Sequence, residues 1–542
     1  MNYKANIRMA AGILAIVLLF IFQPAEGQQI ETNMIKYGRM LQLIENFYVD
    51  TANIGELTES AIVRVLSELD PHSVYISREE VKKMNEPLEG NFEGIGISFN
   101  ILRDTLVVVT TIPGGPSEKV GLMPGDRIIL IDGKPVAGIG LRNSDVMDRL
   151  RGEKGTRVQV QVRRRKESGL LRFTIVRDKI PIHSVNASYM LNEKTGYIKL
   201  NRFSATTTDE FFQAIRELKN NPQFENLVLD LRGNGGGYLK SAIEMADQFL
   251  ENQQLVVYTQ GVHEKRKNYK ASALGEFETG KLVVLIDEGS ASASEIVAGA
   301  VQDWDRGIII GRRSFGKGLV QQPFPLTDGS LIRLTTAHYY TPSGRGIQKP
   351  YAQGVEKYRM DYYNRFENGE LFTRDSVHFD KSQSFRTLKN NRVVYGGGGV
   401  MPDLFVPMDT SSYYRFYNQL IRQNILYPAA LDYQLANREE ISGRYPDFAG
   451  FMENYEVGEE LITGMIAEAG KEKIETDKAS VDFARPLIQK QVKALLARDL
   501  YGGNYYYTVI NRDDRAVQKA LEVLEDYEHL LVDNLNYAGD NR

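Results

Sequence analysis

Apolar residues recur at spacings of three and four through IKYGRMLQLIENFYVD (35–50) and LTESAIVRVLSELDPHS (57–73), which predicts two amphipathic helices, the second closed by Pro71. From about Gly90 the period shortens. The runs GIGISFNI, TLVVVTTI, DRIILIDG, RVQVQVRRR and LRFTIVRD are short, rich in β-branched residues and punctuated by glycine and proline, with one helical stretch, NSDVMDRLRG, among them. A compact barrel-like module over 90–178 follows. Beyond Pro181 strands and helices alternate, and LVLDL, LVVLI and GIIIG are almost unbroken apolar runs, as expected of strands buried on both faces. The fold class is therefore α/β in an α+β multidomain chain. Residues 355–395 lack a period and are expected to form surface loops. From about Ser411 the pattern is again helical, clearest in AVQKALEVLEDYEHLLVDNL.

Length and composition narrow the classes. A chain of 542 residues calls for two to four domains, and 42% hydrophobic with 25% charged residues excludes both a polytopic membrane protein and global disorder. A formal charge of −4 gives no general attraction to nucleic acid, so no nucleic-acid partner is expected. The first residues place Lys4 and Arg8 before an apolar run from Met9 to Phe22, followed by Ala25 and Gly27 in a small-x-small pattern. That run is shorter than the roughly 20 residues of a spanning helix, so residues 1–27 read as an export signal, with a retained membrane anchor as the alternative. The expected location is the periplasm or cell envelope. The chain has no cysteine, which excludes disulfides, thiolate metal sites and cysteine nucleophiles.

Two glycine clusters need assignment. GRRSFGKG (311–318) matches a phosphate loop except at its last position, where Gly318 stands in place of Ser or Thr and no helix follows. GNGGG from Gly233 fails as a dinucleotide turn at Tyr238. Hydrolysis accommodates both. In GSASASEIVAGA (289–300) three serines alternate, and alternation allows at most one of Ser290, Ser292 and Ser294 to meet a substrate. No histidine lies between His263 and His338, so the available base is a lysine whose burial disfavours the charged ammonium. Lys317, between two glycines, follows Ser292 by 25 residues, the span of a helix and a strand that return to one sheet end. Backbone N–H groups of Ala293 and of the Gly236/Gly237 pair are the expected oxyanion donors.

At this point the chain resembles the carboxyl-terminal processing peptidases, or tail-specific proteases. The resemblance rests on SELDPHSVYIS, GIGISF, GPSEKVGLMPGD, DLRGNGGG, GSASASEIVAGAVQD, GRRSFGKGLVQ, YYTPSGRGIQ and GGGVMPD, in the family's order over residues 35–405. It implies a β-α-β peptidase core of the crotonase/ClpP-like type at 179–410, an inserted PDZ domain at 90–178, and helical regions at 28–89 and 411–542. It also implies Ser292 as nucleophile, Lys317 as general base and Gln321 as the residue that orients the lysine, with no metal or other cofactor. A PDZ domain captures a free C-terminus by strand addition beside a glycine-containing loop. EGIGIS fits that loop at Gly94, Ile95, Gly96 and Ile97, with Val146 and Leu150 lining an apolar groove. The expected partners are proteins or peptides with free, apolar C-termini, and a second copy of the chain through the helical termini. The alternatives are a non-catalytic PDZ adaptor, and a Ser-His-Asp triad drawing on His72 or His338.

Overall fold

A computed structural model describes residues 26–165, 167–273, 275–378, 380–408 and 414–532. The expected export signal lies outside the described residues, except for its last two positions. The chain divides into two units, 1–75 and 76–542. In the first, helices Glu26–Phe47 and Ile54–Ser67 form where the period predicted them, the second capped by Asn53 Oδ1, which accepts from Glu56 N–H. Asp70 closes its turn by accepting from the N–H groups of His72 and Ser73.

Helix Arg78–Glu89, which the sequence groups with the N-terminal helices, belongs to the second unit. The reason is charge pairing: Lys82, Lys83 and Glu86 face Glu93, Asp148 and Arg151 at 2.6, 3.2 and 2.6 Å. Asn91–Gly94 then pairs antiparallel with Asp178–Pro181, so the entry and exit of the next module run side by side. Between them lies an antiparallel sheet in the order Ile97–Leu102, Thr105–Thr111, Arg127–Ile131, Arg157–Arg163, Leu171–Val176, with Lys134–Pro135 paired to its third strand. Helix Asn143–Leu150 packs its Val146 and Leu150 into the sheet's apolar cluster.

The core sheet runs Val185–Met190, Thr195–Leu200, Asn226–Asp230, Lys281–Ile286, Ile308–Gly311, Leu404–Phe405; all neighbours but the first pair are parallel. Alternate residues of each strand enter different clusters. Leu227, Leu229, Leu282 and Val284 pack with helices Thr207–Lys219, Leu239–Asp247 and Ala293–Asp303. Val228, Val283 and Leu285 meet Ala516, Val517, Ala520, Val523 and Leu524 of helix Arg515–Glu525. Burial on both faces explains the unbroken apolar runs, and the second cover comes from the far end of the chain. The C-terminal region is thus split: helices from Tyr414 to Asn511 surround a cluster of their own, while Arg515–Glu525 closes the core sheet.

A second sheet is built on the hairpin Leu319–Pro325 and Leu331–Tyr340, extended by Leu255–Gln260 and Lys267–Lys270. Residues 355–367, expected as surface loop, instead form helices Val355–Arg359 and Asp361–Glu367, because Arg365 is drawn in to backbone carbonyls of the 313–315 loop.

Candidate active site

Parallel pairing of Asn226–Asp230 with Lys281–Ile286 delivers the 231–237 and 287–292 turns to the same sheet end. Side chains then stitch the turns together. Gly233 N–H donates to Asp287 Oδ1 at 2.7 Å, Ser290 Oγ to Leu231 O at 2.8 Å, and Ser294 Oγ to Asn234 O at 2.8 Å. Ser290 and Ser294 are fully buried by these bonds, whereas Ser292 lines an open cleft of about 1200 Å³. Its backbone stands at φ 55°, ψ −110°, a conformation that L-residues other than glycine adopt only under constraint from their surroundings.

The constraint is Glu295, three residues on. This carboxylate is wholly buried and receives four donors. Oε1 accepts from Ser314 Oγ at 2.5 Å and Gly316 N–H at 2.7 Å; Oε2 accepts from Ser292 N–H at 2.8 Å and Lys317 N–H at 2.9 Å. Burial pushes the Glu295 carboxyl above the usual carboxylate range, against the pull of those bonds. One oxygen therefore holds both segments on which the expected dyad sits. The two backbone nitrogens are within about 6 Å of each other, inside the reach of a lysine side chain.

Tyr339 adds a second clasp, its hydroxyl lying 2.6 Å from Lys317 O and 3.0 Å from Ser292 O. Behind the lysine loop, Arg365 donates to the carbonyls of Arg313, Ser314 and Phe315, and Arg313 pairs with Glu370. Gln321 lines the same cleft, with Nε2 bonded to Thr335 Oγ1 at 3.3 Å. His338 lies on the hairpin strand opposite Leu319 and Gln260.

The glycine turn presses on the nucleophile segment. A Cβ at Gly236 would stand 2.9 Å from both Ala293 N and Ser292 Cβ, and one at Gly237 only 1.9 Å from Phe203 O, so neither position tolerates a side chain. Gly236 N–H points back to Asn234 Oδ1 at 2.9 Å. Among the described residues, the N–H groups of Gly237 and Ala293 donate to no acceptor. The turn is anchored from below by Asp230, which accepts from Tyr197 Oη at 2.7 Å, Lys199 Nζ at 3.1 Å and the Arg232 guanidinium. Burial pushes the Asp230 carboxyl up, but the charges of Arg232 and Lys199 outweigh it and hold the group far below the usual range. The other edge of Arg232 grips both oxygens of Asp514 at 3.0 Å.

In the antiparallel module, Gly94, Ile95 and Gly96 are buried and Ile97 is half-buried at the start of an edge strand. Ile95 and Gly96 N–H groups donate to no acceptor among the described residues, while their carbonyls accept from Ser117 and Ile112. Val146 and Leu150 are 0% and 4% exposed, part of the same buried cluster as Ile95, with Ile97 and Phe99 packed against it. They form the module's interior instead of an open wall, because the eight-residue helix turns its only apolar positions at that spacing inward.

Comparison with known proteins agrees with this architecture. A family model described as peptidase family S41 matches residues 194–357, one described as a PDZ domain matches 94–175, and one for a family of unknown function (DUF8443) matches 416–502. The chain is 37% identical over 326 residues to the carboxy-terminal processing protease CtpB of Bacillus subtilis, a match spanning 60% of this chain and 66% of that one. It is 37% identical over 350 residues to the carboxy-terminal-processing protease of Bartonella bacilliformis, spanning 64% and 79%. Among solved structures, the photosystem II D1 C-terminal processing protease is 31% identical, with a TM-score of 0.34 over 57% of this chain and 88% of that one. On the identity and coverage of the Bartonella relative, the chain belongs to peptidase family S41 and is a serine-type peptidase with a PDZ domain.

Proposed function

We propose that the chain is an endopeptidase with a Ser-Lys dyad, cutting polypeptides whose free C-terminus has been captured by the PDZ module. Ser292 attacks the scissile carbonyl, Lys317 takes the proton and returns it to the leaving amine, and Gln321 helps to set the lysine's orientation. Ala293 and Gly237 N–H groups receive the developing oxyanion, with Gly236 shaping the turn beside them. The observation that carries this reading is Glu295 Oε2, which fixes the Ser292 and Lys317 segments against each other at the mouth of one cleft.

Tail capture is assigned to the loop Gly94–Ile97, supported by the unengaged N–H groups of Ile95 and Gly96 beside an edge strand. A preference for apolar C-termini, export to the cell envelope and self-association through helical termini belong to the same reading. Exposed Met34, Ile35 and Phe47 on helix Glu26–Phe47 support the last. The test is cleavage of an unfolded, apolar-tailed polypeptide by the wild type, Ser292→Ala and Lys317→Ala. Both variants are expected to be inactive, and amidation of the substrate's terminal carboxylate is expected to slow the wild type. Normal turnover by either variant overturns the dyad; an unchanged rate on the amide overturns tail capture.

A further inference from the structure

The cleft around Ser292 also holds a charge that no carboxylate among the described residues pairs with. Arg333 lies on strand Leu331–Tyr340 and lines the cleft, as do Leu331 and Tyr339 of the same strand. Among the described residues its guanidinium has one hydrogen-bonding partner, the thioether of Met84 on helix Arg78–Glu89, 3.7 Å from Nη1. Its Nε is closed off from solvent and bonds to no acceptor among the described residues. Burial lowers its pKa, and no carboxylate among the described residues opposes that effect. Of the three carboxylates that share the cleft, Glu264 is engaged with Gln322 and Glu244 with Thr208, and Glu89 forms no ion pair with Arg333. Three inward-facing arginines contrast with it, Arg313, Arg345 and Arg392, which sit against carboxylates at 2.5 to 2.8 Å, whereas Arg306 is satisfied by backbone carbonyls.

A partly buried guanidinium that faces a cleft and has no counter-charge among the described residues is a receptor for a carboxylate, which its planar fork binds through two parallel hydrogen bonds. We propose that Arg333 forms a specificity subsite for an acidic side chain of the bound polypeptide. The inference rests on the reading of the cleft as a peptide-binding site. Six residues separate Arg333 from Tyr339, whose hydroxyl contacts the Ser292 carbonyl. With one residue taken up by the bulge near Thr336, about five steps of 3.3 Å place the subsite roughly 17 Å along the strand from the nucleophile segment. An extended substrate covers that distance in about five residues. The carboxylate created by cleavage forms at Ser292 and falls short of it, and the substrate's own terminus is assigned to the PDZ module. A Glu or Asp side chain about five residues from the scissile bond is what remains.

The experiment is a positional scan with the full-length protein. One apolar-tailed peptide is made as two series, a single Glu or a single Gln moved stepwise along the residues flanking the cleavage point, and kcat/KM is measured for each. Glu is expected to exceed Gln by about tenfold at one position several residues from the bond, the effect of one charge-assisted pair. Arg333→Gln is expected to erase that difference while cleaving the Gln series at the wild-type rate, and Arg333→Lys to keep part of it. Equal rates for Glu and Gln at every position in the wild type overturn the subsite while leaving the peptidase reading intact. Loss of the whole Gln series in Arg333→Gln, with the melting temperature unchanged, would also overturn it, since the residue would then serve catalysis generally. Absence of cleavage of either series by the wild type would overturn the peptidase reading, and the subsite with it.

Discussion

The backbone N–H groups of Ser292 and Lys317 converge on a single atom, Glu295 Oε2, at 2.8 and 2.9 Å. Residues 25 positions apart are thereby set side by side without contact between their side chains being needed to hold them. The same glutamate caps the helix that begins at Ala293, so the helix start, the strained serine and the lysine loop form one unit. Substituting this carboxylate tests whether that unit matters. Glu295→Gln replaces one acceptor oxygen by an amide that itself donates, leaving two buried donors without partners at about 1–3 kcal/mol each. Activity is expected to fall at least about 100-fold, and stability by roughly 2–4 kcal/mol, read from kcat/KM and denaturant unfolding. Near-normal values for both would mean that the convergence is incidental.

Strain at residue 292 gives a second expectation. At φ 55°, ψ −110° a Cβ is unfavourable, and glycine is at ease there. Ser292→Gly and Ser292→Ala are both expected to be inactive, but the glycine variant is expected to be the more stable by about 1 kcal/mol. Equal stability of the two variants would remove the claim that the serine is held under load.

Arg232 links the glycine turn to the C-terminal helix Arg515–Glu525 through Asp514, which also caps that helix by accepting from Ala516 and Val517 N–H. Serine can cap but carries no charge. Asp514→Ser is expected to keep the melting temperature within a few degrees yet lower kcat several-fold with little change in KM, because only the turn's support is lost. A variant with unchanged kcat would restrict the C-terminal helix to a covering role.

Acid should reach the same network. Asp230 has its folded-state pKa depressed, so its contribution to stability is complete above the unfolded carboxylate value of about 3.9 and is lost as pH falls below it. Unfolding free energy measured from pH 5 downward is expected to drop, with a shallower slope in Asp230→Asn, whose baseline stability is lower. Parallel slopes in the two proteins would show that another group governs acid lability.

Much of this site was legible in the chain. Ser292 and Lys317 stand at the ends of apolar runs that become parallel neighbours, and the Ser-x-x-Glu spacing of 292 and 295 is a helix-start signature in its own right. The reading of three alternating serines nevertheless passed over Glu295, because its partners Ser314, Gly316 and Lys317 come from a distant loop. Asn234 turning Gly236 N–H away is a local bond of an Asx turn, visible in Asn-x-Gly. Tyr339 and the loop contacts of Arg365 carry no such local signal: the carbonyls they reach lie 22 to 52 residues away, and the Asp361–Arg365 pair four residues apart speaks only of a helix. Likewise the apolar stripe of Arg515–Glu525 announces a buried helix without saying that the surface it covers is the core sheet. Val146 and Leu150 show the converse, a period that marks apolar positions without distinguishing the module's interior from a groove.

Whether Ser292 is a nucleophile activated by Lys317 is tested most directly by a serine-reactive fluorophosphonate probe, with the labelled peptide located by mass spectrometry. A single adduct on Ser292 is expected in the wild type, absent in Ser292→Ala and strongly reduced in Lys317→Ala at neutral pH. An adduct on another serine, or undiminished labelling of Ser292 once Lys317 is removed, would contradict the account.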